Sequence, residues 1–206
     1  METQNIPLTI YSEMTPNPNT MKFVTNKMLL DQGVVEYKNI SETIGSSTVA
    51  EKIFQFPFVQ AIFFSRNFIT ITKKEAFDWD DITYELRIFL SELLTENPTP
   101  IEKLPEVKEE VSQLENAQSE NWSYQPVINS ETDQQIVDLL EEYVRPAVEN
   151  DGGAIHFKSF DEGVVTVMLK GACSGCPSST ATLKGGVEQL LKAHVPNIKE
   201  VVAEAH

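Results

Sequence analysis

The chain has only two cysteines among its 206 residues, and both lie in one stretch, GACSGCPSS, at positions 171–179. A small secreted domain that depends on disulfides carries more cysteines, and a bridge between Cys173 and Cys176 would close almost no loop. The pair is therefore not predicted to be a structural disulfide. It fits a reducing compartment, in which thiols stay free.

Long apolar segments and targeting signals are also missing. The longest apolar runs, AIFF and VVTVML, are far shorter than a membrane-spanning helix. The first residues, METQNIPLTIYSEM, have no basic region followed by an apolar one, and they lack the arginine-rich amphipathic character of an organelle presequence. We therefore expect a cytoplasmic protein with no membrane partner.

Basic residues are scarce. The 16 lysines and arginines are outnumbered by 31 aspartates and glutamates, which gives a net charge of −15. The basic residues are scattered singly, whereas contact with nucleic-acid phosphates needs clustered positive charge. The charge pattern therefore excludes a nucleic-acid partner.

The rest of the composition is that of a globular protein, with 41% hydrophobic residues. The stretch at 97–131 differs, because it is rich in Pro, Glu, Gln, Asn and Ser and cannot bury enough surface to offset the entropy of ordering. We predict two domains, residues 1–97 and 132–206, joined by an acidic, proline-containing linker at 98–131. A short helix could form within the linker, since three apolar residues keep helical spacing there: Val107, Val111 and Leu114.

The first domain is predicted to combine strands and helices. TIYSEM and MKFVTN flank a turn at 16–19, and VQAIFF and FITITK flank a turn at 65–67. STVAEKIFQF contains a helix between these pairs, and an amphipathic helix runs from about Trp79 to Thr95. Three aromatic residues are expected in the core: Phe63, Phe64 and Phe68. The domain has no cysteine, histidine or phosphate-binding glycine loop, so we expect no chemistry in it.

The second domain is predicted to have the order α-β-β-α-β. Its helix TDQQIVDLLEEYVRPAVEN ends at Asp151-Gly152-Gly153, and the strands AIHFKSF and GVVTVMLKG follow. After the cysteines come a helix in TATLKGGVEQLLKAH and a strand, IKEVVAE. The predicted fold class is therefore α+β, with two small α/β domains.

The cysteine loop thus lies between the end of a strand and the start of a helix. Free N–H groups of the loop and of the first helical turn can donate to sulfur, and the helix dipole favours thiolate over thiol. No acidic side chain lies between Lys170 and Thr182 to oppose negative charge. These features prepare Cys173 and Cys176 as anionic ligands.

The spacing alone leaves three interpretations open. The cysteines could be two small buried side chains, although the surrounding glycines and serines disfavour burial. They could form a dithiol redox site, although no proline lies between them. They could bind a metal, but tetrahedral zinc and both common iron–sulfur clusters usually take four protein ligands, of which the loop supplies two. A half zinc site would make the chain an interaction module.

The three histidines are poor candidates for the missing ligands. His156 alternates with Ile155 and Phe157, so it is expected to be exposed on a strand. His194 continues an apolar stripe near the end of a helix, and His206 is the last residue. Two copies of the chain related by a two-fold axis would instead bring two loops together and supply four thiolates to one shared cluster.

These segments resemble a known family. LLEEYVRPAVENDGG and GVVTVMLKGACSGCPSSTATLKGGVEQLLK, followed by VPNIKEV, are similar to the NifU-type C-terminal domain of iron–sulfur cluster carriers over about 132–204. TPNPNTMKF and FFSRNFITITK resemble the N-terminal domain of Nfu-type proteins. Two positions depart from the pattern: Ala154 follows DGG where the family commonly has aspartate, and Ser65 stands where glycine often occurs.

The resemblance implies a homodimer that holds a bridging 4Fe-4S cluster, with 2Fe-2S as the other form, through Cys173 and Cys176 of each chain. It implies iron–sulfur cluster assembly and delivery to apo-proteins, with upstream scaffold proteins as further partners, and not an enzyme. The N-terminal domain is expected to recognise recipients or scaffolds. The alternative function is a dithiol/disulfide oxidoreductase that uses the same two cysteines.

Overall fold

The protein contains two sheets, one in residues 7–104 (the first unit) and one in residues 128–205 (the second unit). A computed structural model describes residues 7–104, 128–174 and 177–205. Each unit combines a sheet with helices, so the predicted α+β class is confirmed.

The first unit is a five-stranded antiparallel sheet with two helices. Its strands lie in the order β1-β2-β5-β4-β3, and both predicted hairpins are present, since β1 pairs with β2 and β4 with β5. In chain order the elements are β1 (Ile10–Met14), β2 (Thr20–Thr25), β3 (Val35–Tyr37), a 3-10 turn (Ile40–Glu42), α1 (Thr48–Ile53), β4 (Val59–Phe64), β5 (Phe68–Lys73) and α2 (Trp79–Glu96).

One face of this sheet forms the core of the first unit. Strand residues and helix residues pack there with at most 1% of their surface exposed, including Phe23, Tyr37, Ile62, Leu86 and Leu90. The burial of these side chains supplies most of the free energy that holds helix α2 on the sheet.

The second unit has a three-stranded sheet in the order β6-β7-β8. Strands β6 and β7 are antiparallel, whereas β7 and β8 are parallel and are joined by a helical crossover, as parallel neighbours require. The elements are α3 (Glu131–Leu139), a π-helical turn (Leu140–Val144), α4 (Arg145–Asn150), β6 (Gly153–Asp161), β7 (Val164–Gly171), α5 (Pro177–His194) and β8 (Glu200–Ala205). The predicted order of elements is confirmed.

The first helix of the second unit differs from the prediction in its middle. It was predicted as one regular helix, but a π-helical turn separates α3 from α4. Pro146 explains the change, because proline has no N–H to donate and its ring clashes with the carbonyl four residues earlier. A wider turn before the proline lets the helix continue. No helix in the described ranges is long and apolar enough to cross a bilayer.

The start of the predicted linker packs against the first unit. Ser47 Oγ donates to the carbonyl of Pro100 at 2.6 Å, and the N–H of Glu102 donates to the carbonyl of Ser46 at 2.9 Å. Ile101 is only 8% exposed. The helix predicted at residues 107–114 lies outside the described residues, and the domain boundaries at 97 and 132 stay predictions.

Candidate metal centre

The cysteine loop lies where the sequence predicted it, between a strand and a helix. Strand β7 ends at Gly171 and α5 begins at Pro177. Cys173 lies in the turn that follows β7, where the N–H of Ser174 donates to the carbonyl of Gly171 at 3.1 Å. The hydroxyl of Thr180, in α5, donates to the carbonyl of Cys173 at 3.1 Å, which ties the turn to the helix. Cys176 lies outside the described residues.

The side chain of Cys173 faces the core of its own unit. It is 5% exposed and packs among the apolar side chains of the second unit. Gly153, at the start of β6, makes room for it, because a Cβ at that position would lie 2.8 Å from Sγ. The thiol is therefore inaccessible in this conformation.

Burial also changes the acidity of this thiol. It raises the pKa of Cys173 to about 11, and the negative charge of Asp151 adds to the rise. No hydrogen bond reaches the sulfur from the described residues. Burial among apolar neighbours and the charge of Asp151 therefore oppose the thiolate of Cys173 in this state, whereas the N–H groups of residues 175–176 that were predicted to favour it lie outside the described residues.

The histidines do not complete a ligand set. The prediction of an exposed His156 is wrong, because its ring is partly buried and lines a cleft with Arg66 and Arg145. Burial lowers its pKa to about 4, with further contributions from Lys170 and Arg145. His194 is exposed, and its ring stacks on that of Tyr143 with centroids 6.5 Å apart. His206 lies outside the described residues. Within the described ranges, no group of three or more His, Cys, Asp or Glu side chains could hold a metal.

The first unit contacts the cysteine loop through a sheet face that sequence reasoning missed. We call this surface the docking face; it is the side of the first sheet opposite the helices, and it comprises Lys22, Val24, Glu36, Phe63, Phe68 and Thr70. Alternation along the strands separates it from the core residues, which are Met21, Phe23, Val35, Tyr37, Ile62, Phe64, Ile69 and Ile71. The apolar run AIFF at the end of β4 was the available signal, because strands with continuous apolar runs are covered on both faces.

Three polar side chains of the first unit bind main-chain atoms beside Cys173. Asn17 Nδ2 donates to the carbonyl of Ala172 at 3.1 Å, and the N–H of Gly171 donates to Glu36 Oε1 at 3.0 Å. Thr70 Oγ1 donates at 2.8 Å to the carbonyl of Gly152, which also accepts from the N–H of Ala172 at 3.2 Å. Burial raises the pKa of Glu36, although its bond from Gly171 acts in the opposite direction.

An apolar contact surrounds these hydrogen bonds. Val24, Phe63 and Phe68 form a cluster with Ala154 of the second unit, which is 5% exposed. All three phenylalanines are buried, as expected, but they belong to two clusters. Phe64 packs in the core of the first unit, whereas Phe63 and Phe68 pack on the opposite face, because alternate residues of a strand point to opposite faces.

The two departures from the family pattern are both explained locally. Ala154 meets apolar side chains of the docking face, where an aspartate would bury a charge. Ser65 is 1% exposed and is not among the residues with positive φ, so its position does not require glycine.

Comparison with known proteins gives one family match within each of the two units. Residues 10–97 match the family described as scaffold protein Nfu/NifU N terminal, and residues 136–202 match the NifU-like domain. NifU-like protein 4, mitochondrial, of Arabidopsis thaliana is 33% identical over 95% of this chain and 65% of its own length. NFU1 iron–sulfur cluster scaffold homolog, mitochondrial, of Homo sapiens is 31% identical over 93% of this chain and 70% of its own length. A NifU-like protein of Schizosaccharomyces pombe is 34% identical over 94% of this chain and 71% of its own length.

The relatives correct the predicted location. The expectation of a cytoplasmic protein is wrong, because relatives from Arabidopsis thaliana and Homo sapiens are named as mitochondrial proteins. That expectation rested on missing signals and on free thiols, and thiols stay free in any reducing compartment.

The chain spans about two thirds of the length of the curated relatives that it matches. Over that span the two family matches follow each other in the order in which the two units occur. The chain therefore belongs to the NifU-like family, and it carries an Nfu/NifU N-terminal domain followed by a NifU-like domain.

Proposed function

We propose that this protein takes part in iron–sulfur cluster assembly, binding a cluster through Cys173 and Cys176 and handing it to apo-proteins. The observation that carries the proposal is the placement of Cys173 between β7 and α5 in a chain whose only other cysteine lies three residues further on. Relatives of this chain that are named as iron–sulfur cluster scaffolds support it.

The donor set favours a shared 4Fe-4S cluster over a site within one chain. A cluster of this kind takes four protein ligands, and one chain has two thiols. Within the described residues no additional group of His, Asp or Glu gathers with Cys173 to make up the number. Two chains related by a two-fold axis would supply four thiolates, so the proposed carrier is a homodimer bridged by its cargo.

Delivery fits this arrangement better than storage. The cluster would be held by two short loops at the junction of two chains, and an incoming thiolate of an acceptor could replace the ligands one at a time. The chain would then be a carrier and not an enzyme, with apo-proteins and upstream scaffold proteins as its partners. The cluster is the cargo in this scheme.

Cys173 is not poised to be the attacking thiol of a dithiol oxidoreductase in the state described. The attacking species in disulfide exchange is the thiolate, and burial raises the pKa of Cys173 to about 11. A protonated and inaccessible thiol reacts slowly.

A transfer experiment tests the proposed function. The full chain is loaded anaerobically with iron and sulfide and mixed with an apo-acceptor that needs a 4Fe-4S cluster, and acceptor activity is followed with a chelator present to remove free iron. We expect the acceptor to gain its cluster at the rate at which the carrier loses its visible absorbance. A chain that binds no iron and catalyses disulfide reduction would instead establish the oxidoreductase.

A further inference from the structure

The contact between the two units holds the main chain of the two residues that precede Cys173. Asn17 and Glu36 bind atoms of residues 172 and 171, which directly precede the cysteine. Thr70 binds the carbonyl of Gly152, and that carbonyl is also bonded to Ala172 within the second unit. The loop therefore cannot move outward without breaking hydrogen bonds to the first unit.

The bonds from Asn17 and Thr70 are buried, and the bond to Glu36 is partly buried. Asn17 is 4% exposed and Thr70 is 1% exposed. The neighbouring side chains of Phe63, Phe68 and Ala154 exclude water from the contact. A buried donor or acceptor that loses its partner costs more than an exposed one, so the two buried bonds should open together.

The conformation that the contact holds is unsuited to ligation. Sγ of Cys173 points into the second unit, where a Cβ on Gly153 would approach it to 2.8 Å. A shared cluster needs this sulfur at the surface and needs a second loop beside it. The first unit covers the surface of residues 152–154 and 171–172, where a second loop would have to lie.

We infer that the docking face is a binding surface for the cysteine loop and that it competes with the cluster and the second copy of the chain. Asn17, Glu36 and Thr70 act as positioning residues that keep Cys173 turned inward. Opening of the contact frees the loop, and loading with iron and sulfide then holds it open. The competition with loading rests on the proposed function, whereas the closed contact does not.

Asn17→Asp is the most specific variant for testing this contact. Asn17 Oδ1 accepts from the N–H of Asn19 at 3.0 Å, and an aspartate keeps that bond and the shape of the turn. It replaces the amide donor that faces the carbonyl of Ala172 by a carboxylate oxygen. The two oxygens repel each other, which weakens the contact between the units. Asn19→Asp is the matched control, since it makes the same change two residues away, where no bond to the described residues of the second unit is present.

Thr70→Val gives a second, uncharged variant. It removes the hydroxyl that donates to Gly152 and keeps the shape of the side chain. Thr72→Val is its control, because Thr72 lies on the same side of β5 without a corresponding bond to the second unit within the described residues. Circular dichroism of each variant checks that it is folded.

The first readout is the rate at which iodoacetamide alkylates Cys173, measured by intact mass on the metal-free full chain. Cys176→Ser in every sample makes Cys173 the only thiol. We expect Asn17→Asp to raise the rate about tenfold and Thr70→Val to raise it about fivefold, the change that loss of one buried hydrogen bond produces in an opening equilibrium. Both controls should react at the rate of the parent chain.

The second readout is the rate of cluster loading with both cysteines present. Asn17→Asp should load faster than the parent, and Asn19→Asp should load at the parent's rate. Unchanged alkylation in folded Asn17→Asp and Thr70→Val would overturn the closed contact. Faster alkylation with unchanged loading would overturn the competition. If no chain loads a cluster, the proposed function fails, and alkylation still decides whether the contact exists.

Discussion

Replacing either cysteine by alanine is expected to abolish cluster binding. With Cys173→Ala or Cys176→Ala, a two-fold dimer offers two thiolates in place of four, and a 4Fe-4S cluster with half its ligands is lost to solvent or chelator. Iron and acid-labile sulfide are measured after anaerobic reconstitution and desalting. We expect both to fall to the level of a protein without cysteine.

A variant in the same loop separates loss of a ligand from disturbance of the turn. Ser174→Ala removes the hydroxyl that donates to the carbonyl of Gly171 at 2.9 Å and leaves both thiols in place. It should keep its iron and sulfide. Retention of a full cluster by either cysteine variant would show that other residues ligate it.

Phe64→Ala is expected to destabilise the first unit far more than Phe63→Ala. Phe64 is fully buried in the core and packs edge-to-face against Tyr37, with ring centroids 6.2 Å apart. Truncation of such a phenylalanine costs about 3–5 kcal/mol, because it removes buried surface and leaves a cavity. Urea unfolding, followed through Trp79 fluorescence in a Trp122→Phe background, measures the free energy of unfolding of this unit.

Phe63→Ala serves as the matched comparison one residue earlier on β4. Its ring lies on the docking face and packs closely against Gly171 of the second unit. A Cβ added to that glycine would lie 3.0 Å from the ring. The variant should lower the unfolding free energy less than Phe64→Ala does and should speed alkylation of Cys173. An equal or greater cost for Phe63→Ala would contradict the assignment of the two faces.

Local features of the fold could be predicted well from the sequence. Apolar periodicity, the proline- and asparagine-rich turn at 16–19 and the glycines at 152–153 depend on neighbours along the chain, and they identified both hairpins and the α-β-β-α-β order. The position of the cysteine loop followed from the same local reasoning. The π-helical turn was missed, although Pro146 was a visible signal for an irregular helix.

Features that depend on contact between distant residues could not be predicted in the same way. The burial of Cys173, the low pKa of His156 and the role of Asn17 all depend on which groups lie opposite them in space. Asn17 is 155 positions from Ala172 in the chain, and no periodicity links the two. The burial of Phe63 and Phe68 was predicted, but not the second unit that covers them, because strand alternation separates two faces without saying what covers each one.

The iron content and the mass of the reconstituted protein, measured together under anaerobic conditions, test the central proposal most directly. A cluster shared through Cys173 and Cys176 predicts about one 4Fe-4S cluster per two chains and a species with the mass of a dimer. Removal of the cluster with a chelator should abolish the bridge between the chains. A monomer that retains a full cluster would contradict the proposal.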